Sequence, residues 1–128
     1  MNNRKIIVAV TGASGAVYAM KLLERLRGLP EPLPVQSEHI HLQAEQLHLL
    51  PDRPVEVAVI FTGNAEDIML YETGAKYSPA GTEKLWNNRD FNAPFASGSS
   101  SYDTMIICPA SMGMVGRIAH GVSDDLIT

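Results

Sequence analysis

The sequence predicts an α/β protein with a Rossmann-like, three-layer fold, in which helices cover the faces of a parallel sheet. Short unbroken apolar runs are typical of strands that are buried on both faces. Each run is followed by a turn of small residues or proline and then by a helical pattern, and such units imply right-handed crossovers between parallel strands. We expect one domain over residues 1–128, with an inserted segment at 29–54, because 128 residues support a single hydrophobic core.

Composition and charge exclude several classes of function. Hydrophobic residues make up 45% and charged residues 19% of the chain, as in a folded globular domain. Ten basic and fourteen acidic residues leave a net charge of −4, which disfavours nucleic-acid and anionic membrane partners. The single cysteine cannot form an intramolecular disulfide, and the amino-terminal apolar run is too short for an export signal. We therefore expect a cytoplasmic protein that binds neither membrane nor nucleic acid.

The first strand-then-helix unit begins with the apolar run at 6–10. A turn at 11–16 follows, and a helical pattern then places four apolar residues on the side that we expect to face the sheet. They are Val17, Met20, Leu23 and Leu26. Gly28 and Pro30 are typical stop signals after a helix.

The inserted segment at 29–54 is rich in proline and interrupts the alternation of elements. It contains a possible helix at 38–50, for which Ser37 is a suitable cap. Three histidines lie in it, namely His39, His41 and His48. The H-x-H pair suggests a metal site, but a third ligand is lacking, so solvent-facing histidines are the favoured interpretation.

The second unit is a strand at 55–61 and a helix at 64–73. The helix residues expected to face inward are Ala65, Ile68 and Met69. The segment at 74–101 shows little periodicity, so we expect a long loop with at most one short strand. Loops of that length in compact domains are usually functional.

The third unit is a strand at 104–108, ended by Pro109, and a helix at 112–120. Cys108, within the strand, is most simply a small core residue. His120 lies near the end of the helix, where a histidine more often caps the helix than acts in catalysis.

Three turns lie at the carboxyl ends of the predicted strands, where open parallel sheets bind their ligands. They occupy 12–15, 62–64 and 109–113, and each combines a hydroxyl with small residues. This composition suits a phosphate or another anion at helix N-termini. Glycine and serine also make good turns and caps, which is the favoured interpretation for any one turn alone. The dinucleotide glycine motif and the P-loop lysine are both lacking, so NAD and ATP are poorly supported.

Glu72 and the segment at 93–101 are further candidates. Glu72 ends the second helix, where its charge meets the unfavourable end of the helix dipole. Near a ligand it could carry a proton, although an exposed surface role is the simpler alternative. The segment at 93–101 changes abruptly from apolar to hydroxyl-rich and suits a pocket lip, with Phe91 and Phe95 as walls and 97–99 as donors. The alternative is a flexible linker.

Three ordered motifs carry a more specific signal. They are VAVTGASGAVY at 8–18, NAPFASGS at 92–99, and MIICPASMG at 105–113, which runs into GRIAHGVSDDLIT at 116–128. On these motifs the chain resembles the flavin prenyltransferases, the UbiX-type branch of the FMN-binding cysteine-decarboxylase superfamily. The resemblance covers residues 4–28 and 55–128.

The resemblance implies a Rossmann-like flavoprotein domain that binds FMN and forms homo-oligomers, with trimers combining into a dodecamer and active sites between subunits. The family transfers a dimethylallyl group from dimethylallyl monophosphate to N5 and C6 of reduced FMN, without a metal. The product, prenylated FMN, serves partner decarboxylases of the ubiquinone-pathway type.

The resemblance also implies roles for individual residues. Ser14 and Glu72 match the pair that moves protons at the flavin. FMN contacts are implied for residues of all three turns, namely Gly12, Ala13, Ser14, Thr62, Ser111, Met112, Gly113 and Met114. Substrate contacts are implied for Ser97 and Gly98, which match the phosphate loop, and for Phe91, which matches an aromatic wall of the prenyl pocket. Such a site needs donors for the leaving phosphate and π faces that shield an allylic cation from water.

The chain departs from the family pattern at several positions. Thr62 and Gly63 stand where the family has serine and lysine, Ala110 replaces a cysteine, and Met114 replaces a threonine. The family continues beyond the position of Thr128 with two arginines, a lysine, a glutamate and a tyrosine of the substrate site, so we expect a shortened form whose cavity lacks a wall. Two alternatives stay open: an FMN-dependent decarboxylase of a cysteine-bearing substrate, and a non-catalytic FMN-binding remnant.

Overall fold

The computed structural model describes residues 4–27 and 55–128. In this part of the chain the elements are β1 (Lys5–Val10), α1 (Ala16–Leu26), β2 (Glu56–Phe61), α2 (Ala65–Thr73), β3 (Lys84–Asn87), β4 (Thr104–Ile107) and α3 (Met112–Ala119). The strands and helices predicted outside the insert are confirmed, and β3 is the one short strand allowed in the long loop. The insert at 29–54, with its expected helix at 38–50 and its three histidines, lies outside the described residues.

The strands β3, β2, β1 and β4 lie side by side in this order and form a parallel sheet. This confirms the predicted α/β class. The register sets Val10 beside Phe61 and Ala9 beside Ile107, so the carboxyl ends of β1, β2 and β4 lie level. The chain runs from β1 outward to β2 and β3 and then returns to the far side of β1. The point of reversal, between β1 and β4, is where open α/β sheets bind their ligands.

Helix α1 packs on the sheet through most of the predicted side, since Leu23 is buried and Met20 and Leu26 pack against the core, but Val17 does not face inward. Val17, which was expected to face inward, is 49% exposed, whereas Ala16, Ala19 and Leu23 are buried. Positions 16, 19 and 23 share one face of a helix, because residues three and four apart lie above one another. The short alanine side chains allow the α1 backbone to approach the strands closely. The prediction was wrong at Val17 because it counted only large apolar residues as core residues.

The opposite face of the sheet is covered by α3, by the segment between β3 and β4, and by the residues after α3. Phe95 is buried there, with its ring 5.8 Å from that of Trp86 and 5.1 Å from that of Tyr102, both in edge-on geometry. The prediction that Phe95 lines a pocket lip is therefore wrong, since aromatic burial in the core holds the ring away from solvent. Phe91 is exposed, as a residue at a pocket wall can be.

An ion pair at the amino ends of the strands fixes the end of α1. Glu83 immediately precedes β3, and its side chain is only 1% exposed. Four donors serve its carboxylate: Arg27 Nε, Arg27 Nη2 (3.0 Å), the Tyr77 hydroxyl (2.6 Å) and the Ala80 N–H (3.2 Å). The neighbouring Thr82 hydroxyl donates to the carbonyl of Val55, just before β2. Arg27 and Val55, which flank the 28–54 segment, are thus held by Glu83 and Thr82, two residues that are neighbours in the sequence.

Asp125 fixes the residues after α3 to the rest of the fold. Its carboxylate accepts hydrogen bonds from Asn88 Nδ2 (3.1 Å) and from the N–H groups of Ile127 and Thr128 (both 3.0 Å). It also pairs with Arg117 Nη2 at 3.1 Å. Burial alone raises the pKa of Asp125, but the hydrogen bonds to Thr128, Asn88 and Ile127 outweigh it and lower the pKa to about 2.

Candidate functional site

The turns after β1 and β4 are joined at the point where the sheet reverses direction. Thr11, the first residue after β1, is 3% exposed. Its hydroxyl donates to the carbonyl of Pro109 at 2.5 Å and accepts a hydrogen bond from the N–H of Ser111 at 3.0 Å. Its own N–H also donates to the Pro109 carbonyl, at 3.3 Å. The structure thus brings together the predicted turns at 12–15 and 109–113.

The turn at 62–64 packs against the turn after β1. The N–H of Thr62 donates to the carbonyl of Val10 at 3.0 Å, which continues the strand pairing beyond the end of β2. Asn64 lies over Gly12, where an added Cβ would come within 2.7 Å of Asn64 Oδ1. Position 12 therefore favours glycine because the two turns approach closely there. All three predicted turns meet at one edge of the sheet.

Glu72 lies beside the amino end of α1. Its carboxylate accepts hydrogen bonds from the N–H groups of Gly15 at 3.2 Å and Ala16 at 3.0 Å. The charge is unfavourable for its own helix, α2, but it meets the favourable amino end of the α1 dipole. Gly15 adopts a φ of 108°, a left-handed conformation that favours glycine. The contact sets the Glu72 carboxylate one residue from Ser14, whose side chain is exposed.

The amino end of α3 presents donors of a different kind. The Ser111 side chain accepts a hydrogen bond from the N–H of Met114 at 3.2 Å and so caps the helix. The first N–H groups of a helix have no partner within the helix, and those of Met112 and Gly113 find none elsewhere in residues 4–27 and 55–128. Both residues are exposed. An anion therefore meets open donors at α3, whereas the donors at α1 already bind the Glu72 carboxylate.

Replacing Ser111 by alanine is expected to destabilise the fold by about 1 kcal/mol, because the N–H of Met114 loses its acceptor. The free energy of unfolding in urea measures this change. Ser78→Ala, at an exposed position in the loop before β3, is the matched control and should leave stability unchanged. Equal stabilities for the two variants would show that the cap does not stabilise α3.

A cavity of about 490 Å³ lies at the carboxyl ends of β2 and β3. Its lining includes Phe61, Gly63, Trp86 and two carboxylates, Glu66 and Asp67. Two negative charges at the mouth of a cavity repel a phosphate. Among the surfaces described, the crevice between β1 and β4 is therefore better suited to an anionic ligand.

In the described part of the chain, no hydrogen bond joins the substrate residues implied by the resemblance to the three turns. The Ser97 hydroxyl is hydrogen-bonded to that of Ser99 at 2.9 Å, and the Ser97 carbonyl accepts from the N–H of Ser100 at 3.0 Å. Ser97 and Gly98 are exposed, and an added Cβ at Gly98 would meet nothing within 4 Å. In the described part of the chain, the hydrogen bonds of this loop are internal and none joins it to Ser14 or Ser111.

The structure also places four further residues that the sequence singled out. Met114 is buried in the core, whereas Met112 is 78% exposed beside the open donors of α3. Cys108 is half-buried, which only partly agrees with a core role. His120 Nδ1 lies 2.8 Å from the carbonyl of Gly116, which confirms the predicted cap.

Residues 4–27 and 55–128 hold no group of three or more His, Cys, Asp or Glu side chains placed to bind a metal ion. None of the described helices is both long enough and apolar enough to cross a bilayer.

A model of the family described as Flavoprotein matches residues 1–128. The chain belongs to the flavoprotein family. The resemblance to flavin prenyltransferases is confirmed by relatives of that name. The chain is 36% identical over 126 residues to the enzyme UbiX of Pseudomonas aeruginosa, with 96% of this chain and 55% of the relative covered. It is 30% identical over 126 residues to that of Thermoplasma acidophilum, with 97% and 56% covered.

Two solved structures share the fold of this flavoprotein at a TM-score of 0.68. One is a phenylacrylic acid decarboxylase from Aquifex aeolicus, at 25% identity, with 97% of this chain and 56% of that chain covered. The other is a dodecameric FMN-dependent UbiX-like decarboxylase from Escherichia coli O157:H7, at 29% identity, with 96% and 56% covered. The chain therefore spans about half the length of the relatives that it matches.

Thr11 belongs to the site but was not among the site residues predicted from the sequence. The ligand-binding part of the turn was taken from Gly12 onward, although a hydroxyl directly after a buried strand is itself a signal. Such a side chain is buried at the sheet edge and needs hydrogen-bond partners, which the neighbouring turn supplies. Asn64 was assigned to the second turn, but its position over Gly12 depends on how α2 packs.

Proposed function

We propose that this flavoprotein binds FMN and acts as a flavin prenyltransferase, which transfers a dimethylallyl group from dimethylallyl monophosphate to reduced FMN. The observation that carries the proposal is the junction of the turns after β1 and β4 at the reversal point of the sheet, with the Glu72 carboxylate one residue from Ser14. The relatives named flavin prenyltransferase support it.

The donors of the site suit FMN. A flavin phosphate is an anion, and the open N–H groups of Met112 and Gly113 with the exposed end of α3 match that charge. The turns at 12–14 and 62–64 present small residues and hydroxyls, which allow a flat ring to approach the backbone. We assign the FMN contacts to Gly12, Ala13, Ser14, Thr62, Ser111, Met112, Gly113 and Met114. The Met114 side chain is buried, so its contribution is through the backbone of the turn.

Reduced FMN, when bound, supplies the nucleophilic positions N5 and C6 that accept the dimethylallyl group. The carbon–oxygen bond of the donor breaks and phosphate leaves with its electron pair as the bond from N5 to carbon forms. The carbon–carbon double bond of the dimethylallyl group is then consumed: one of its carbons gains a proton and the other forms the bond to C6. Of the two protons displaced from N5 and C6, one balances this uptake and the other leaves to the phosphate or solvent. Ser14 and Glu72 receive and pass on the protons displaced from N5 and C6. A carboxylate that is held by the N–H groups of Gly15 and Ala16, directly after Ser14 in the chain, is suited to this relay.

The remaining assignments concern the allyl donor. Ser97 and Gly98 bind its phosphate through the hydroxyl and backbone N–H groups of an exposed loop, and Phe91 shields the allylic carbons from water. These residues belong to a segment whose described hydrogen bonds are internal.

We propose that the chain works as a homo-oligomer in the cytoplasm, as a trimer or a dodecamer, and supplies prenylated FMN to a decarboxylase of ubiquinone biosynthesis. The dodecameric UbiX-like neighbour supports the assembly. We further propose that residues 1–128 form one flavoprotein domain, with an inserted segment at 29–54. Sedimentation of the FMN-loaded chain tests the assembly.

Anaerobic incubation with reduced FMN and dimethylallyl monophosphate tests the activity. We expect a flavin of the mass of prenylated FMN and one inorganic phosphate released per flavin. Unchanged FMN from a folded, FMN-loaded sample would contradict the proposal. The second candidate is an FMN-dependent decarboxylase, favoured by the names of the two solved neighbours. It predicts carbon dioxide release from a cysteine-bearing carboxylic acid with oxidised FMN and no allyl donor.

A further inference from the structure

We propose that Thr11 is a positioning residue of the flavin site, because its hydroxyl fixes the turn after β4 relative to the turn after β1. The inference rests on the proposed binding of FMN in the β1–β4 crevice. Thr11 itself is 3% exposed and does not need to touch the flavin. Its role is to hold the donors of α3 in place.

The Thr11 side chain is the only hydroxyl among residues 4–27 and 55–128 that bonds both a carbonyl and an N–H of the β4–α3 turn. It donates to the Pro109 carbonyl at 2.5 Å and accepts from the Ser111 N–H at 3.0 Å. A hydroxyl has one donor and two acceptor sites, so one side chain satisfies both backbone groups at once. The last bond of strand type between these segments is from Cys108 N–H to the Ala9 carbonyl, at 2.9 Å. Thr11 extends this pairing past the strand ends.

The Ser111 N–H, which is bonded to Thr11, directly precedes the N–H groups that we propose bind the flavin phosphate. Ser111 is the cap of α3, and the open N–H groups of Met112 and Gly113 follow it directly. Without the Thr11 hydroxyl, the Ser111 N–H loses its acceptor and must shift to find water or another partner. Donors that are fixed before binding cost no reordering when the ligand arrives, so a shift of the turn weakens binding.

Replacing Thr11 by valine tests the inference, since valine keeps the shape of the side chain and removes the hydroxyl. Titration of the 128-residue chain with FMN, followed by flavin fluorescence, should show an affinity lower by about tenfold for Thr11→Val. The visible spectrum of the bound flavin should also change. Thr11→Ser keeps the hydroxyl and should restore both affinity and spectrum. Thr82→Val is the matched control, because it removes a hydroxyl bonded to Val55 at the opposite edge of the sheet.

Removing a hydroxyl that only stabilises the fold should change stability without changing FMN binding. Thr82→Val should lower the melting temperature but leave FMN affinity and spectrum unchanged. Hydrogen exchange of the Ser111 N–H, measured without FMN, gives a second readout: we expect protection in the unaltered chain and in Thr11→Ser, and faster exchange in Thr11→Val.

Several outcomes would overturn the inference. They are unaltered FMN affinity in folded Thr11→Val, failure of Thr11→Ser to restore binding, or rapid exchange of the Ser111 N–H in the unaltered chain. The last two remain decisive if Thr11→Val does not fold. An unaltered chain that binds no FMN would overturn the proposed function and this inference together, whereas unaltered binding in Thr11→Val would overturn this inference alone.

Discussion

Replacing Glu72 by glutamine is expected to slow dimethylallyl transfer about 10²-fold or more, while FMN remains bound. Glutamine keeps an oxygen that can accept from the N–H groups of Gly15 and Ala16, so the contact with α1 persists. It cannot take up a proton at neutral pH, and the relay with Ser14 is therefore lost. The measurement is the rate of prenylated-flavin formation from reduced FMN and dimethylallyl monophosphate, with FMN affinity determined on the same sample.

Glu24→Gln is the control for removal of a negative charge. Glu24 lies on α1 and pairs with Lys21 at 3.2 Å, with both side chains at the surface. We expect unaltered transfer in this variant. If Glu72→Gln transferred the dimethylallyl group at the unaltered rate, Glu72 would be a helix cap only. A loss of FMN binding in Glu72→Gln would instead indicate that the contact with α1 shapes the flavin site.

The second large effect concerns stability. Replacing Glu83 by glutamine is expected to lower the free energy of unfolding at neutral pH by roughly 3 kcal/mol, since it leaves the Arg27 guanidinium without its anionic partner in a largely buried pair. The Arg27 side chain retains 21% exposure, which places the effect at the low end for buried pairs. Glu56→Gln, in the surface pair between Lys5 and Glu56 at 3.3 Å, should cost less than about 1 kcal/mol.

The Glu83 effect should depend on pH. Burial alone raises the pKa of the carboxyl, but hydrogen bonds from Arg27, Tyr77 and the Ala80 N–H outweigh it and hold the pKa below its ordinary value of 4.5. A lowered pKa in the folded state means that the ionised carboxylate stabilises the fold above pH 4.5. This stability is lost as the pH falls through the folded-state pKa. Burial and the bond to Glu83 raise the pKa of Tyr77, so its hydroxyl remains a donor throughout.

Urea unfolding at a series of pH values measures this dependence. The difference in free energy between the unaltered chain and Glu83→Gln should be constant near neutral pH and should shrink below pH 4.5. Acid loss of the Asp125 interactions affects both proteins equally and cancels in the difference. A difference that is independent of pH down to full acid unfolding would show that the Glu83 charge does not stabilise the fold.

Local patterns in the sequence were sufficient to predict the strands and the turns that follow them. The apolar run at 6–10 and the later run ending at Phe61 could be buried on both faces only as central strands, and the structure places them there. Because parallel strands end at one edge, the meeting of the three turns also followed from the chain order. Glu72 was first singled out by its charge at the unfavourable end of α2, and its role at the flavin came from the resemblance.

The remaining features depend on packing that no local pattern encodes. Val17 fits an inward stripe as well as Ala16 does, and the choice between them is set by how closely α1 approaches the sheet. The bond from Thr11 to Ser111 joins residues 100 positions apart, and its geometry depends on the register of β1 with β4. The pair of Arg27 with Glu83 likewise needs α1 and β3 in place first.

Thr82 and Glu83 are adjacent in the sequence and bind the chain on either side of the 28–54 segment. Thr82 is hydrogen-bonded to Val55, and Glu83 pairs with Arg27. These two contacts lie at the amino ends of the strands, whereas the three turns meet at the carboxyl ends. The spacing between the end of α1 and the start of β2 is therefore set by two residues that are neighbours in the sequence.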